Sequence, residues 1–259
     1  MESISVTHRM VLREALALAR SGRLYERADA ELEDQFRGSI DRFSLIAAAM
    51  AGRARVLDIG SGRGLLLALL TLRGHECHAV DYRDRREQFP APARTVAFRQ
   101  CNVEIEPLPY PDAYFDGITC CQVLEHFSHS HLPAVREMRR VLKPGGMLEI
   151  DVPNVACWRN RWRLLRGKNI TWDYREHYLH ATPVLEHGHS FYPVRHNREF
   201  TRDELLLLLR EAGFTSPRVE FLKSRRMRPG AARILSLGSG LRDVVPGLRK
   251  SLVAFAVRD

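Results

Sequence analysis

The chain has 259 residues, 45% hydrophobic and 27% charged, a composition that excludes disorder and low-complexity function and leaves room for one elaborated domain with a proper core. Forty Lys and Arg against 31 Asp and Glu give a net charge of +9, which suits an anionic substrate, nucleic acid or a membrane surface without specifying a fold. The most apolar runs, Gly64 to Leu72 and Leu205 to Leu209, fall short of the about 18–20 residues a bilayer crossing needs, so no span is expected.

Taken in chain order, the first fifty residues predict helices, with apolar positions at helical spacing through Val11, Leu12, Ala15, Leu16 and Leu18 and again through Phe43, Leu45, Ile46 and Met50. They are expected to form an N-terminal helical cap, residues 1–50. The stretch up to Arg20 carries two glutamates and no small-residue cleavage site, so it reads as an amphipathic helix and not a signal peptide, and the expected location is cytoplasmic. Five cysteines, Cys77, Cys101, Cys120, Cys121 and Cys157, include no C-x-x-C pair and suggest neither a disulfide framework nor a zinc finger.

After Arg53 the pattern changes to short apolar strands, expected at 54–59, 77–81, 95–100, 116–121 and 146–152, with helical runs at 63–73 and 131–142. This alternation predicts a doubly wound, mostly parallel sheet within a domain covering 51–259. Residues 153–197 break it. They are rich in Arg, His, Trp and Tyr and contain Pro153, Pro183 and Pro193, which marks an inserted lid after the fifth strand. Thr201 with Glu204 predicts a capping-box start to an apolar helix that stops at Gly213. Two final strands, in SPRVEFL and LVAFAV, would bring the sheet to seven, with a polar, Gly-containing spacer between them.

The most informative stretch is Val56 to Gly64, a buried strand running into a turn with Gly60, Ser61 and Gly62 and then into an apolar helix. Glycines there let the backbone turn sharply and a ligand approach closely. The spacing differs from the dinucleotide fingerprint, since the third glycine comes one residue early, and no Gly-Lys-Ser/Thr ending marks a P-loop. Asp81 closes the second strand twenty-one residues after Gly60, where a carboxylate can accept both hydroxyls of a ribose. Ribose binding without a pyrophosphate clamp suggests a nucleoside.

In these residues the sequence resembles the class I S-adenosylmethionine-dependent methyltransferases. Asp58 to Gly64 is similar to their D-x-G-x-G-x-G motif, Cys101 to Phe127 to their third and fourth motifs, and Glu137 to Asn154 and Phe200 to Phe214 to later segments, so the likeness covers about residues 35–259. It implies a Rossmann-like fold, S-adenosyl-L-methionine as cofactor, and a cofactor site made by Asp58, Gly60, Ser61, Gly62, Asp81, Tyr82, Asn102, Val103 and Gln122. Within that set Asp58 to Gly64 would form the methionine side, Asp81 would hold the ribose, and Asn102 and the Val103 amide would face the adenine. The family usually has Asp where Asn102 stands, so an acceptor for the adenine amine is kept and a charge is lost.

For a hydroxyl acceptor a general base helps, and His126, at the end of the fourth strand beside Glu125, is the candidate, with His196 as a second. Some relatives hold a divalent cation with Glu-x-x-Glu-His. Here Gln122 replaces the first acid, and His177, His180, His187, His189 and His196 match no standard zinc spacing, so no metal is expected. The lid combines Trp158, Trp162 and Trp172 with Arg159, Arg161, Arg163, Arg166 and Lys168. It reads either as an aromatic and cationic platform or as a helix packing Trp158, Trp162 and Leu165 inward with solvated arginines. Trp158, Tyr192 and Arg195 are the acceptor-side candidates. Glu31 to Ser39 resembles a segment of sugar and polysaccharide methyltransferases, so the expected reaction is O-methylation of a small molecule or glycan intermediate, which the basic lid allows to be anionic. The alternatives are an RNA methyltransferase using the Arg/Trp lid, though no RNA-binding module is recognisable, and a non-catalytic cofactor-binding subunit.

Overall fold

A computed structural model describes residues 2–21, 30–171, 173–186, 188–222 and 244–259. Trp172, His187 and most of the spacer before the last strand lie outside the described residues. Seven strands form one sheet: β1 (Arg55–Ile59), β2 (Glu76–Asp81), β3 (Ala97–Gln100), β4 (Phe115–Cys121), β5 (Leu142–Pro153), β8 (Arg218–Leu222) and β9 (Ser251–Val257). Their order is β3-β2-β1-β4-β5-β9-β8, parallel except that β9 runs antiparallel to both its neighbours. β1 lies at the point where the strand order reverses, and the carboxyl ends of β1, β2 and β4 therefore open a crevice on one edge of the sheet.

Helices α1 (Glu2–Ser21), α2 (Ala30–Ala49) and α3 (Leu65–Leu72) cover one face, while α4 (Leu132–Val141) and α6 (Arg202–Glu211) cover the other. The α3 sequence, LLLALLTL, is apolar all round, with six consecutive residues buried from Leu65 to Leu70, so it must lie between other layers. Phe36, Ile40 and Ile46 of α2 and Val11 and Ala15 of α1 join the same apolar cluster as α3, Val56 and Ala79. Each large side chain buried this way contributes about 1.5–3 kcal/mol. The expected N-terminal cap thus shares its core with the sheet.

The predicted capping box is present: the Thr201 hydroxyl accepts from the Glu204 amide at 3.3 Å, and the Glu204 carboxylate accepts from the Thr201 amide at 2.8 Å. β5 begins at Leu142, earlier than the expected 146, because Leu142 already pairs with Phe115 before the register shifts at Gly117. The lid is more structured than its composition suggests. After α5 (Trp158–Leu165) it forms a π-helical turn at Arg175–Leu179 and a hairpin of β6 (Val184–Glu186) and β7 (His189–Phe191), with Gly188 at φ +79°. Trp158, Trp162 and Leu165 do not pack inward: they are 47%, 49% and 78% exposed, and the two indoles stack on each other.

Candidate active site

At the end of β1 the chain turns through Gly60 and Gly62, both with positive φ. A side chain at Gly60 would collide with Val123, so this residue must be glycine for space as well as for backbone conformation. Asp81 locks the turn from the neighbouring strand by accepting from the Gly62 amide at 2.9 Å and the Arg83 amide at 3.1 Å. Asp58 lies buried below, accepts from the Thr119 hydroxyl at 2.7 Å, and has its pKa pushed up to about 7 by burial, against the effect of that hydrogen bond. Ser61 is buried in the turn.

These residues border a cavity of about 190 Å³ lined by Gly60, Asp81, Tyr82, Asn102, Val103, Gln122 and His126, among others. Seven of the expected site residues, scattered from 60 to 126 in sequence, are brought together there; Asp58, Ser61 and Gly62 support the turn behind it. Phe191 of the lid closes one wall, edge-on to Tyr82 with ring centres 5.8 Å apart. Asn102 is already engaged: its Oδ1 accepts from the Glu104 amide at 3.2 Å and its Nδ2 donates to Glu186 of β6 at 3.2 Å. The lid thus sets a carboxylate, Glu186, against Asn102.

Gln122, at the tip of β4, has φ +55° and donates its side-chain amide to Asp151 of β5. Asp151 is fully buried and pairs at 3.5 Å with Arg42 of α2. Glu149 and Glu125 are also fully buried. Burial pushes the Glu125 carboxyl up to about 8, and burial together with Asp151 pushes Glu149 well above the carboxylate range. Neither carboxylate oxygen of Glu125 has a hydrogen-bond partner among the described residues.

His126 donates from Nδ1 to the Arg195 carbonyl at 3.0 Å, which leaves Nε2 as its acceptor nitrogen. Burial lowers its pKa, outweighing that hydrogen bond. The His196 ring stands nearly perpendicular to it, 5.0 Å away, and ligand atoms of Glu125, His126 and His196 all lie within 4.8 Å of one another. One carboxylate and two imidazoles can relay a proton or hold a divalent cation. Spacing could not show this set, because His196 is seventy residues beyond His126 and Gln122 replaces the first acid of the expected metal pattern.

Asn197 makes the juxtaposition, donating its backbone amide to the Glu125 carbonyl at 2.7 Å and its side chain to the His126 carbonyl at 2.6 Å. No sequence signal marks it. Arg42 was visible only as a cation inside the apolar stripe of α2, between Ile40 and Phe43. Among the acceptor-side candidates, Arg195 lies over the Tyr192 ring at 3.6 Å and near Tyr178 at 5.1 Å, and also donates to Asn197, so it clamps the lid. His196 lines a second cavity of about 290 Å³, with Asn169, Thr171, His177, Tyr178 and Glu199 among its walls. Trp158 lines neither cavity.

A family model described as a methyltransferase domain matches residues 28–216. Over 114 residues, 42% of this chain and 46% of the relative, the chain is 32% identical to the ubiquinone/menaquinone biosynthesis C-methyltransferase of Ralstonia nicotianae. Over 115 residues, 42% and 47% of the two chains, it is 30% identical to the ubiquinone biosynthesis O-methyltransferase of Dechloromonas aromatica. The matches span about half the length of these relatives. In fold it is similar to a SAM-dependent methyltransferase of Archaeoglobus fulgidus, at TM-score 0.55 and 19% identity, covering 88% of this chain and 98% of that one. It is also similar to the 1,6-didemethyltoxoflavin-N1-methyltransferase of Burkholderia thailandensis, solved with S-adenosylhomocysteine, at TM-score 0.51 and 21% identity, covering 96% and 88%. With its glycine turn, the acid that closes β2 and its strand order, the chain belongs to the class I S-adenosylmethionine-dependent methyltransferases.

Proposed function

We propose that this protein transfers the methyl group of S-adenosylmethionine to a hydroxyl oxygen of a small molecule or glycan intermediate. The observation that carries the reading is the cavity on which Gly60, Asp81, Asn102, Val103 and Gln122 converge with His126 in the same lining. Asp81 accepts two amide hydrogen bonds and keeps lone pairs for ribose hydroxyls. Tyr82 and Phe191 form an aromatic wall for the adenine, and Glu186 supplies the carboxylate beside Asn102 that can accept from the adenine amine. The bound cofactor supplies an electrophilic methyl on its sulfonium.

The chain's own contribution is alignment, exclusion of water and removal of one proton. Lid residues Phe191 and Pro193 help to enclose the cavity. His126 is neutral at pH 7 because burial lowers its pKa, and Nε2 takes the acceptor's hydroxyl proton while the Arg195 carbonyl fixes the tautomer. The named relatives act in ubiquinone biosynthesis on carbon or on oxygen; a poised base favours oxygen, since a hydroxyl must lose its proton.

Calorimetry with S-adenosylmethionine and S-adenosylhomocysteine tests the cofactor reading. Binding by the native protein that is weakened by Asp81→Ala supports it; no binding, or no effect of Asp81→Ala, overturns it. Incubation with labelled S-adenosylmethionine and native extract, followed by mass spectrometry, then identifies the atom that gains the methyl, and label on carbon or nitrogen would refute the oxygen assignment.

A further inference from the structure

Among the described residues, nine of the fifteen exposed large hydrophobic side chains fall between 158 and 194. Four of them lie on the eight-residue helix α5: Trp158, Trp162, Leu164 and Leu165, exposed by 47, 49, 61 and 78%. At helical spacing Trp158, Trp162 and Leu165 form one stripe, with Arg161 on one flank and Arg159 and Arg166 on the other. The two indoles stack with ring centres 6.1 Å apart, and the Arg166 guanidinium lies 5.9 Å from the Trp162 ring.

The charge that the segment itself carries has one sign, although Arg159 is paired across the lid with the Glu199 carboxylate at 3.7 Å. Residues 152–172 contain five Arg and Lys and no Asp or Glu. Arg161 donates to the Ala156 carbonyl at 2.6 Å, and Arg163 donates to the Asn169 and Thr171 carbonyls at 2.7 and 2.9 Å; these contacts hold the guanidinium groups beside the helix without cancelling their charge. An apolar stripe in water, rimmed by cations, fits a surface that is apolar beneath and anionic at its boundary.

We propose that α5 docks this protein on the surface of an anionic lipid bilayer. Trp158, Trp162 and Leu165 enter the boundary between headgroups and acyl chains, and Arg161, Arg166 and Lys168 meet lipid phosphates. Arginines and stacked tryptophans could also serve a nucleic acid, but Leu165, the most exposed apolar side chain of the helix at 78%, would then have no apolar partner. No helix of the described residues is long and apolar enough to cross a membrane, so the attachment is peripheral. Four residues separate α5 from the end of β5, which ties the docked element directly to the sheet.

The test is co-sedimentation of the full chain with vesicles of phosphatidylcholine containing one quarter phosphatidylglycerol, against phosphatidylcholine alone, with tryptophan emission recorded. It reads no methyl transfer, so its outcome is independent of the proposed reaction. Expected are binding to the anionic vesicles at least tenfold tighter than to the neutral ones, a blue shift of the emission, and at least a tenfold loss in Trp158→Ser/Trp162→Ser, whose melting temperature stays that of the parent because both side chains are exposed. Three results would overturn it: no binding to anionic vesicles, binding that the double variant retains in full, or RNA that displaces the vesicles and itself depends on the two tryptophans.

Discussion

Around the glycine turn the backbone is fixed from both sides, Ile59 standing opposite Val80 of β2 and Cys120 of β4, and the side chains beneath it are buried. Between 154 and 200 the chain instead crosses the sheet edge with Trp158, Leu165 and Leu185 in water, pinned by single contacts such as Asn197 on Glu125 and His126, and Glu186 on Asn102. The first region is held by paired strands on both sides of β1. The second gets its geometry from a few hydrogen bonds over long sequence distances, which suits a segment that must admit one ligand after another. Cofactor binding should therefore depend on the first region and acceptor chemistry on the junction between the two.

The largest effect expected on this division is that of His126→Gln, which should lower turnover by about 10²–10⁴-fold while calorimetry shows cofactor affinity unchanged. Equal loss in both would mean that the junction belongs to the cofactor site. Next comes Asp81→Ala, expected to weaken the cofactor by about 10–100-fold, the loss of hydrogen bonds to a charged group, without altering the methylated product. The third expectation concerns stability. The Glu125 carboxyl titrates near 8 in the folded chain and at ordinary values when unfolded, so its contribution is fully present below about pH 4.5 and lost as pH rises through 8. The unfolding free energy should fall over that window by on the order of a few kcal/mol, read as a falling melting temperature, and Glu125→Gln should flatten the profile. A parent profile that stays level would show that burial does not raise this carboxyl. Smallest is Glu186→Ala, worth about 1 kcal/mol, which should raise KM for the cofactor several-fold and leave turnover alone; no change would separate the lid from the adenine end of the cavity.

Much of the cofactor region was legible before folding was considered. The strand ends at Ile59, Asp81 and Cys121 follow from apolar runs, and Gly60 and Gly62 announce a turn, both taking positive φ and Gly60 lying against Val123. The lid was legible as an interruption, and the capping box at Thr201 marked where it ends. Its hairpin was not, since three-residue strands carry too short an alternation to register. Nor could periodicity decide whether Trp158, Trp162 and Leu165 face inward or outward, because a helix shows the same stripe in either case.

The amino-acid sequence by itself determined the sheet, the glycine turn and the acid that follows it, because strand length, glycine conformation and the common direction of parallel strands are local or repeating properties. Tertiary structure alone decided that His196 reaches His126, that Glu186 stands beside Asn102, that Arg42 meets Asp151, and that the tryptophans of α5 are left in water. Each of these depends on where two distant segments pack, and that is set by the shared core beneath them and not by the spacing of the residues involved.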